Sequence, residues 1–174
     1  MLTTLAFLIV LLIAAVLVYA ATRPDNFRVL RSVSIQAAPE KIFPFINDFR
    51  QWDAWTPYNK DPAMKKTYGG AASGVGATYA WEGNGQVGQG NIDICASTPP
   101  SMVALNLNMV KPFAAKNQVE FTLQPKGDLT EVTWAMDGQH IFIGKVMGLF
   151  MSMDNMVGKD FELGLAKLKM LAEK

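Results

Sequence analysis

The chain has 174 residues, of which half are hydrophobic and 18% charged, and this composition predicts a single folded domain with room for a short appendage. Sixteen basic residues balance fifteen acidic ones, so charge gives no reason to expect a nucleic-acid partner. The single cysteine excludes an internal disulfide, and the single histidine excludes a histidine pair for zinc. We therefore predict neither a metal nor a cofactor.

The first 22 residues carry no charged side chain, and residues 5–21 are continuously apolar. About 20 helical residues cover a hydrocarbon core of roughly 30 Å. We predict a single-pass membrane anchor over residues 1–22 and thus membrane localisation. A cleaved signal peptide is the alternative, although the segment lacks a basic start and its apolar run is long. Arginines follow the span at the start of the domain, so charge leaves the side of the membrane open.

Proline and charge mark residues 23–26 as a linker, and we predict one domain over residues 27–174. The segment FRVLRSVSI predicts a strand, APEKIFPFIND a helix with a proline in its first turn, and FRQWDAW a second short helix. Six further strands follow from Lys65 to His140, because period-two alternation is interrupted by Gly, Pro and Asn. Short connections favour antiparallel pairing. Val119, Phe121 and Leu123 then share one covered face.

A helix of about 30 residues is predicted from Gly144 onward. Its apolar stripe recurs at three- and four-residue steps and consists of Phe150, Met153, Val157, Phe161, Gly164, Leu168 and Leu171. The first half, VMGLFMSMDNMVG, holds four methionines and two glycines. Methionine adapts to irregular partners, so this half is suited either to lining a variable apolar pocket or to filling gaps in a core.

The order of these elements, and the segments VSIQAAPEKIFPFINDFRQWDAW, GVGATYAWEGNGQVGQGNIDI and GKDFELGLAKLKMLAEK, resemble the START-like helix-grip superfamily (SRPBCC, or polyketide cyclase-related proteins). The resemblance covers about residues 27–172. It implies an α+β fold in which a curved antiparallel sheet of about seven strands wraps around a long C-terminal helix and leaves a cavity. It says little about function, because the superfamily includes lipid carriers and cyclases.

Several motifs that could indicate catalysis have simpler interpretations. Residues 83–88 match G-x-G-x-x-G, but a strand follows, so we predict a hairpin and not a nucleotide site. Glu82 and Asp93 lie on neighbouring strands, yet their alternation points them to solvent. We expect His140 to be a solvated polar residue and Cys95 to be a small buried one.

Aromatic residues of the covered parity and the apolar helix stripe make the best candidate ligand-binding set. It consists of Trp52, Trp55, Tyr79, Trp81, Trp134, Met136, Phe150, Met153, Val157 and Phe161. Concave aromatic surfaces are common in small-molecule pockets, and aromatics are equally the normal filling of a core.

Three interpretations of function remain open. The first is a membrane-tethered binding module that holds an apolar or amphipathic, lipid-like molecule between the sheet and the C-terminal helix. The second is an enzyme of the polyketide cyclase/dehydratase type, which the lack of an evident acid–base pair disfavours. The third is an interaction domain with a filled core and no ligand. The sequence leaves the oligomeric state open.

Overall fold

The computed structural model describes residues 2–140, 142–149 and 153–174. The elements in chain order are α1 (Leu2–Ala21), β1 (Asn26–Ile35), α2 (Pro39–Asn47), a 3₁₀ helix (Phe49–Ala54), β2 (Lys65–Gly70), β3 (Ala77–Glu82), β4 (Gln89–Thr98), β5 (Met102–Lys111), β6 (Ala115–Lys126), β7 (Leu129–Gln139), α3 (Phe142–Met147) and α4 (Met153–Ala172). The predicted α+β helix-grip fold is confirmed.

The seven strands form one antiparallel sheet in the order β1-β7-β6-β5-β4-β3-β2. Consecutive strands pair from β2 to β7. Strand β1 pairs with β7 and forms the edge opposite β2, and α2 and the 3₁₀ helix connect β1 to β2. The covered face contributes Val119, Phe121 and Leu123 to the core, all at most 5% exposed. The alternation in the sequence therefore identified the buried face of the sheet.

The predicted continuous C-terminal helix is wrong, since the structure has α3 and α4 as separate helices with Gly148 and Leu149 in a turn after α3. The two helices have different partners. The short α3 contacts the apolar helix α1, whereas α4 packs on β1, β7, α2 and the 3₁₀ helix. Periodicity within the sequence does not encode this change of partner.

An arginine from the sheet anchors the N-terminal part of α4. Arg31 on β1 donates two hydrogen bonds to the Asp154 carboxylate, at 2.8 and 2.9 Å, and one to Glu162 at 2.6 Å. These carboxylates raise the pKa of Arg31, and the hydrogen bonds from Arg31 lower the pKa of Asp154. Gly158 lies between the two acids on the helix, and a Cβ added there would fall 2.1 Å from Nη2 of Arg31. The missing side chain lets the guanidinium lie directly against the helix.

Helix α1 is long and apolar enough to cross a membrane, and its residues are almost all exposed. Its last turn meets the domain, where Ala20 is fully buried and α1 contacts α3. Next to this contact Lys145 of α3 forms an ion pair of 2.5 Å with Asp25 of the linker. The start of the folded domain is thus fastened to the end of the apolar helix.

Of the motifs that were interpreted as structural, residues 83–88 and the two carboxylates occupy the expected positions and Cys95 does not. Residues 83–88 form the β3–β4 connection, in which Gly83 N–H donates to Gly88 O at 2.9 Å, so the hairpin is confirmed. Glu82 is exposed, and Asp93 accepts a hydrogen bond from Asn106. The expectation for Cys95 was wrong: it is exposed, because Ile92 and Ile94 take the buried parity of β4.

Candidate functional site

A cavity of about 540 Å³ lies between the concave face of the sheet and α4. Its lining is predominantly apolar and includes residues from β1, β3 to β7, the 3₁₀ helix and α4. The volume falls within the range of roughly 300–1,000 Å³ that is typical of small-molecule sites.

Cross-strand registers define the floor of this cavity. One row of directly paired residues crosses the whole sheet and consists of Phe27, Gly138, Asn117, Leu107, Ile92, Tyr79 and Tyr68. The outer row lies two residues farther along these strands and contains Ala115, Met109, Gly90 and Trp81. His140 follows β7 by one residue and shares the parity of Gly138, so it borders this outer row.

Two glycines in these rows lie beneath aromatic rings of neighbouring residues. A Cβ on Gly138 would lie 2.6 Å from Cζ of Phe27, and one on Gly90 would lie 2.6 Å from the ring of Trp81. The Trp81 ring is held in place because its Nε1 donates to Val87 O at 3.0 Å. The rings of Phe27 and Trp81 therefore lie against the sheet where side chains at these two positions would otherwise project.

The opposite wall comes mainly from α4. Phe161 stacks on Trp134 at a centroid distance of 4.0 Å and an interplanar angle of 10°, and this pair forms the deep end of the cavity. Met153, Met156 and Val157 line it nearer the start of the helix. Met156 is also 43% exposed, so this part of the lining reaches the protein surface.

The structure brings together eight of the ten predicted site residues. The cavity is lined by Trp52, Tyr79, Trp81, Trp134, Met136, Met153, Val157 and Phe161. Trp55 instead lies in the core, fully buried, with Nε1 donating to Phe45 O at 2.9 Å. The irregular 3₁₀ segment gives no alternation from which its direction could be predicted. Phe150 lies outside the described residues. The binding role of the whole set stays a prediction.

Three buried polar side-chain atoms have no hydrogen-bond partner within the described part of the chain, and all three belong to residues that line the cavity. They are Oδ1 of Asn117, Nε1 of Trp134 and Nδ1 of His140. Buried polar atoms in native proteins are usually paired, so such a concentration is informative. His140 is half-buried against Phe27, at a ring-centroid distance of 4.9 Å, and is not the solvated residue that was expected.

Formal charge is sparse around the cavity. Among the described residues that line it, Asp53 is the only carboxylate, and it forms an ion pair of 2.5 Å with Lys66. Burial, followed by the neighbouring Tyr68 and Asp53, raises the pKa of Tyr79. Among all the residues that the structure describes, no group of three or more His, Cys, Asp or Glu residues is placed to hold a metal ion.

We take the end of the cavity nearest α1 as its mouth, because a second pocket joins it there. A smaller pocket of about 250 Å³ shares His140, Gly144, Gly148 and Met153 with the main cavity. Its remaining lining comes from Arg23, Pro24, Asn26 and Lys145, at the point where the chain leaves α1. The exposed Phe113 also lines the cavity, from the β5–β6 connection.

Sequence reasoning missed Phe27, Asn117 and His140. The signal was present for two of them. Asn117 has the parity of Val119 and Phe121, so it is a polar residue in a buried series. His140 has the parity of Trp134 and Met136, which would have extended the covered face of β7 beyond its end.

Comparisons with known proteins agree with this architecture. A family model described as "Polyketide cyclase / dehydrase and lipid transport" matches residues 26–173. No curated protein gave a significant match. Solved structures share the fold at low sequence identity. A protein from Chromobacterium violaceum is 15% identical with a TM-score of 0.60, over 87% of this chain and 99% of that chain.

Two further structures extend this comparison. A protein from Helicobacter pylori is 10% identical with a TM-score of 0.63, over 84% of this chain and 88% of that chain. DynU16, from the dynemicin biosynthetic locus, is 17% identical with a TM-score of 0.58, over 87% of this chain and 48% of that chain. At these identities the likeness establishes the fold alone.

Proposed function

Because the chain belongs to the family described as polyketide cyclase/dehydrase and lipid transport, we propose that it is a membrane-tethered module that binds an apolar or amphipathic, lipid-like molecule in the cavity between the sheet and α4. The observation that carries the proposal is the cavity itself. It has the volume of a ligand site, a predominantly apolar lining, and aromatic rings packed over Gly138 and Gly90.

The position of the mouth supports the membrane part of the proposal. Helix α1 has the length and composition of a membrane span, and its end contacts α3 beside the smaller pocket. A lipid-like ligand has very low solubility in water, so a binding site that opens beside the bilayer shortens its path through the aqueous phase. Exposed Phe113 and Met156 near the mouth are suited to contact with acyl chains.

Native mass spectrometry of the full-length protein, gently extracted from membranes, tests whether a lipid-sized molecule co-purifies. We expect a bound mass that is removed by organic extraction. A homogeneous ligand-free mass after mild extraction, together with no uptake of added apolar probes, would contradict the proposal and favour the interaction domain.

Substitution of Met153 separates a cavity from a close-packed core. Met153→Trp is expected to fill the cavity and abolish uptake of a neutral apolar dye such as Nile red, while the melting temperature changes by only a few degrees. In a close-packed core the same change would overpack and destabilise by about 1–3 kcal/mol. Met170→Trp is the matched control, because Met170 is on the same helix and is 62% exposed. The cavity would be refuted as a binding site if the wild type did not bind the dye and the Met153→Trp variant were strongly destabilised.

The cyclase-type enzyme is the second candidate, and one observation favours it. His140, the only histidine, lines the cavity with an unpaired buried Nδ1, where an imidazole could exchange a proton with a bound molecule. The binding module remains the stronger proposal, because Asp53 is paired with Lys66 and no carboxylate among the described residues is hydrogen-bonded to His140.

A further inference from the structure

Polar atoms without partners are concentrated at one end of the apolar cavity. Asn117 and His140 lie on neighbouring rows of the concave face, near the mouth, and both approach the ring of Phe27. The space above Gly138 brings them together: a Cβ placed there would lie 2.1 Å from Oδ1 of Asn117 and 2.6 Å from Cζ of Phe27. Diagonal neighbours across paired strands are about 7–8 Å apart. Both polar atoms are buried in this structure, so a ligand group contacts them once the Phe27 ring, which lies beside both, moves aside.

The third unpaired atom belongs to a different region. Trp134 is four residues from Gly138 along β7, which is about 13 Å at roughly 3.3 Å per residue. Its indole stacks on Phe161 at the deep end of the cavity. One small polar group cannot contact both Trp134 and the Asn117–His140 pair.

The chemistry of the pair defines the ligand group that it can bind. The amide oxygen of Asn117 accepts a hydrogen bond, and a neutral imidazole with its proton on Nδ1 donates one. A hydroxyl satisfies both, because it donates one hydrogen bond and accepts another. An alkane would leave both atoms unpaired, at a cost for each buried group.

Charge disfavours an anionic group at this position. No lysine or arginine is found among the described residues that line the main cavity. Lys145, in the adjoining smaller pocket, is already paired with Asp25 at 2.5 Å. A buried anion without a cation nearby carries a large desolvation cost.

We propose that the ligand is a long-chain neutral alcohol, which binds with its hydroxyl between Asn117 and His140 near the mouth and its chain extended toward Trp134 and Phe161. This rests on the proposed function and adds the ligand's polar group and its orientation. It also gives the buried Asn117 a reason to interrupt an otherwise apolar row.

Tryptophan fluorescence provides a direct test with the full-length chain in nanodiscs. All four tryptophans lie outside α1, so their emission reports on the domain alone. A dodecanol with bromine at the end of its chain should quench this emission, because the heavy atom would reach the tryptophans at the deep end. Unlabelled dodecanol, dodecane and dodecanoate are then compared as competitors, and we expect dodecanol to compete best.

Variants of the pair distinguish a polar contact from general hydrophobic binding. Asn117→Leu and His140→Phe are expected to weaken dodecanol competition about three- to tenfold, the equivalent of one hydrogen bond. Dodecane competition should be unchanged. Asn108→Leu is the matched control, because Asn108 hydrogen-bonds Asn91 on the other face of the sheet. Asn117→Leu should melt no lower than the wild type, because it removes an unpaired buried amide oxygen.

Each outcome has a distinct meaning. Equal competition by dodecanol and dodecane, with no effect of Asn117→Leu, would overturn the hydroxyl site and leave the apolar cavity standing. Stronger competition by dodecanoate, reduced by Arg23→Gln, would overturn the neutral group in favour of an anionic one in the smaller pocket. No quenching by the brominated probe would refute the proposed binding function itself.

Discussion

Gly158 lowers the helix propensity of α4 but allows a close contact between this helix and the sheet. A glycine inside a helix costs about 1 kcal/mol relative to alanine. Here the absent Cβ leaves room for the Arg31 guanidinium, which reaches Asp154 and Glu162 on either side of the glycine. The methionine-rich stretch that ends at Gly158 therefore ends at a packing site, although its composition is also that of a flexible pocket wall.

A double-mutant cycle tests this interpretation. Gly158→Ala is expected to destabilise the wild type, because Arg31 is held by two carboxylates and cannot move aside without losing their hydrogen bonds. In an Arg31→Met background the same change should instead stabilise by up to about 1 kcal/mol, the helix-propensity gain. Thermal melts of the four proteins give the coupling.

Gly164→Ala is the control for this cycle. An added Cβ there would meet the Trp134 ring at 2.8 Å and Pro57 at 3.0 Å, neither of which depends on Arg31. It should destabilise equally in both backgrounds. A Gly158→Ala effect of the same sign in both backgrounds would contradict the role assigned to Arg31.

At the scale of elements, the first turn of α4 is attached to β1 by charge as well as by packing. Asp154 lies in that turn, and its hydrogen bonds from Arg31 lower its pKa. A carboxylate with a lowered folded-state pKa stabilises the fold above its unfolded pKa of about 3.9, and this stabilisation is lost as pH falls through the folded value.

We therefore expect the melting temperature of Asp154→Asn to lie below that of the wild type by a constant amount between about pH 7 and pH 5. The difference should shrink below about pH 4 and vanish once Asp154 is protonated. Asp128→Asn, in the β6–β7 turn, is the control and should follow the wild type throughout. A difference that persists unchanged to the lowest pH would mean that Asp154 acts by packing and not by charge.

The elements differ in how far the sequence predicts them. Strands β2 to β7 were predictable because alternation and turn residues are local properties, and the same parity placed Tyr79, Trp81 and Trp134 on the concave face. The division between α3 and α4 was not predictable, because it depends on the contact of α3 with α1, a helix more than a hundred residues away in the sequence. Trp55, which was predicted to line the cavity, lies in the core for a similar reason, since tertiary contacts set its direction.

At the scale of the molecule, the apolar helix and the domain meet at one end, and the mouth of the cavity lies at that end. A retained anchor would thus hold the mouth close to the bilayer surface. The burial of Ala20 and the contact of α1 with α3 at this junction limit the orientations that the domain can take.

We expect the full-length chain to stay with membranes through high-salt and carbonate washes. Leu11→Arg, at the middle of α1, should reduce this retention, because an arginine at the centre of a span costs about 2.5–3.5 kcal/mol on the insertion scale. Leu30→Arg is the control, since Leu30 is an exposed apolar residue of β1 and should leave retention unchanged. An intact mass corresponding to a chain that begins near Ala21 would establish cleavage and exclude the anchor.

Gly138, beneath the Phe27 ring, gives evolution a means of adjusting ligand length without rebuilding the fold. A side chain at Gly138 would occupy the space between Phe27 and Asn117 and shorten the cavity from its mouth. Gly90 is less adjustable, because a Cβ there would meet the backbone oxygen of Asn108 at 2.7 Å as well as the Trp81 ring. The atoms nearest to both positions belong to the sheet and not to α4, so such changes leave the docking of that helix intact. Diverging descendants of this chain could therefore accommodate shorter or longer molecules through single exchanges in the sheet.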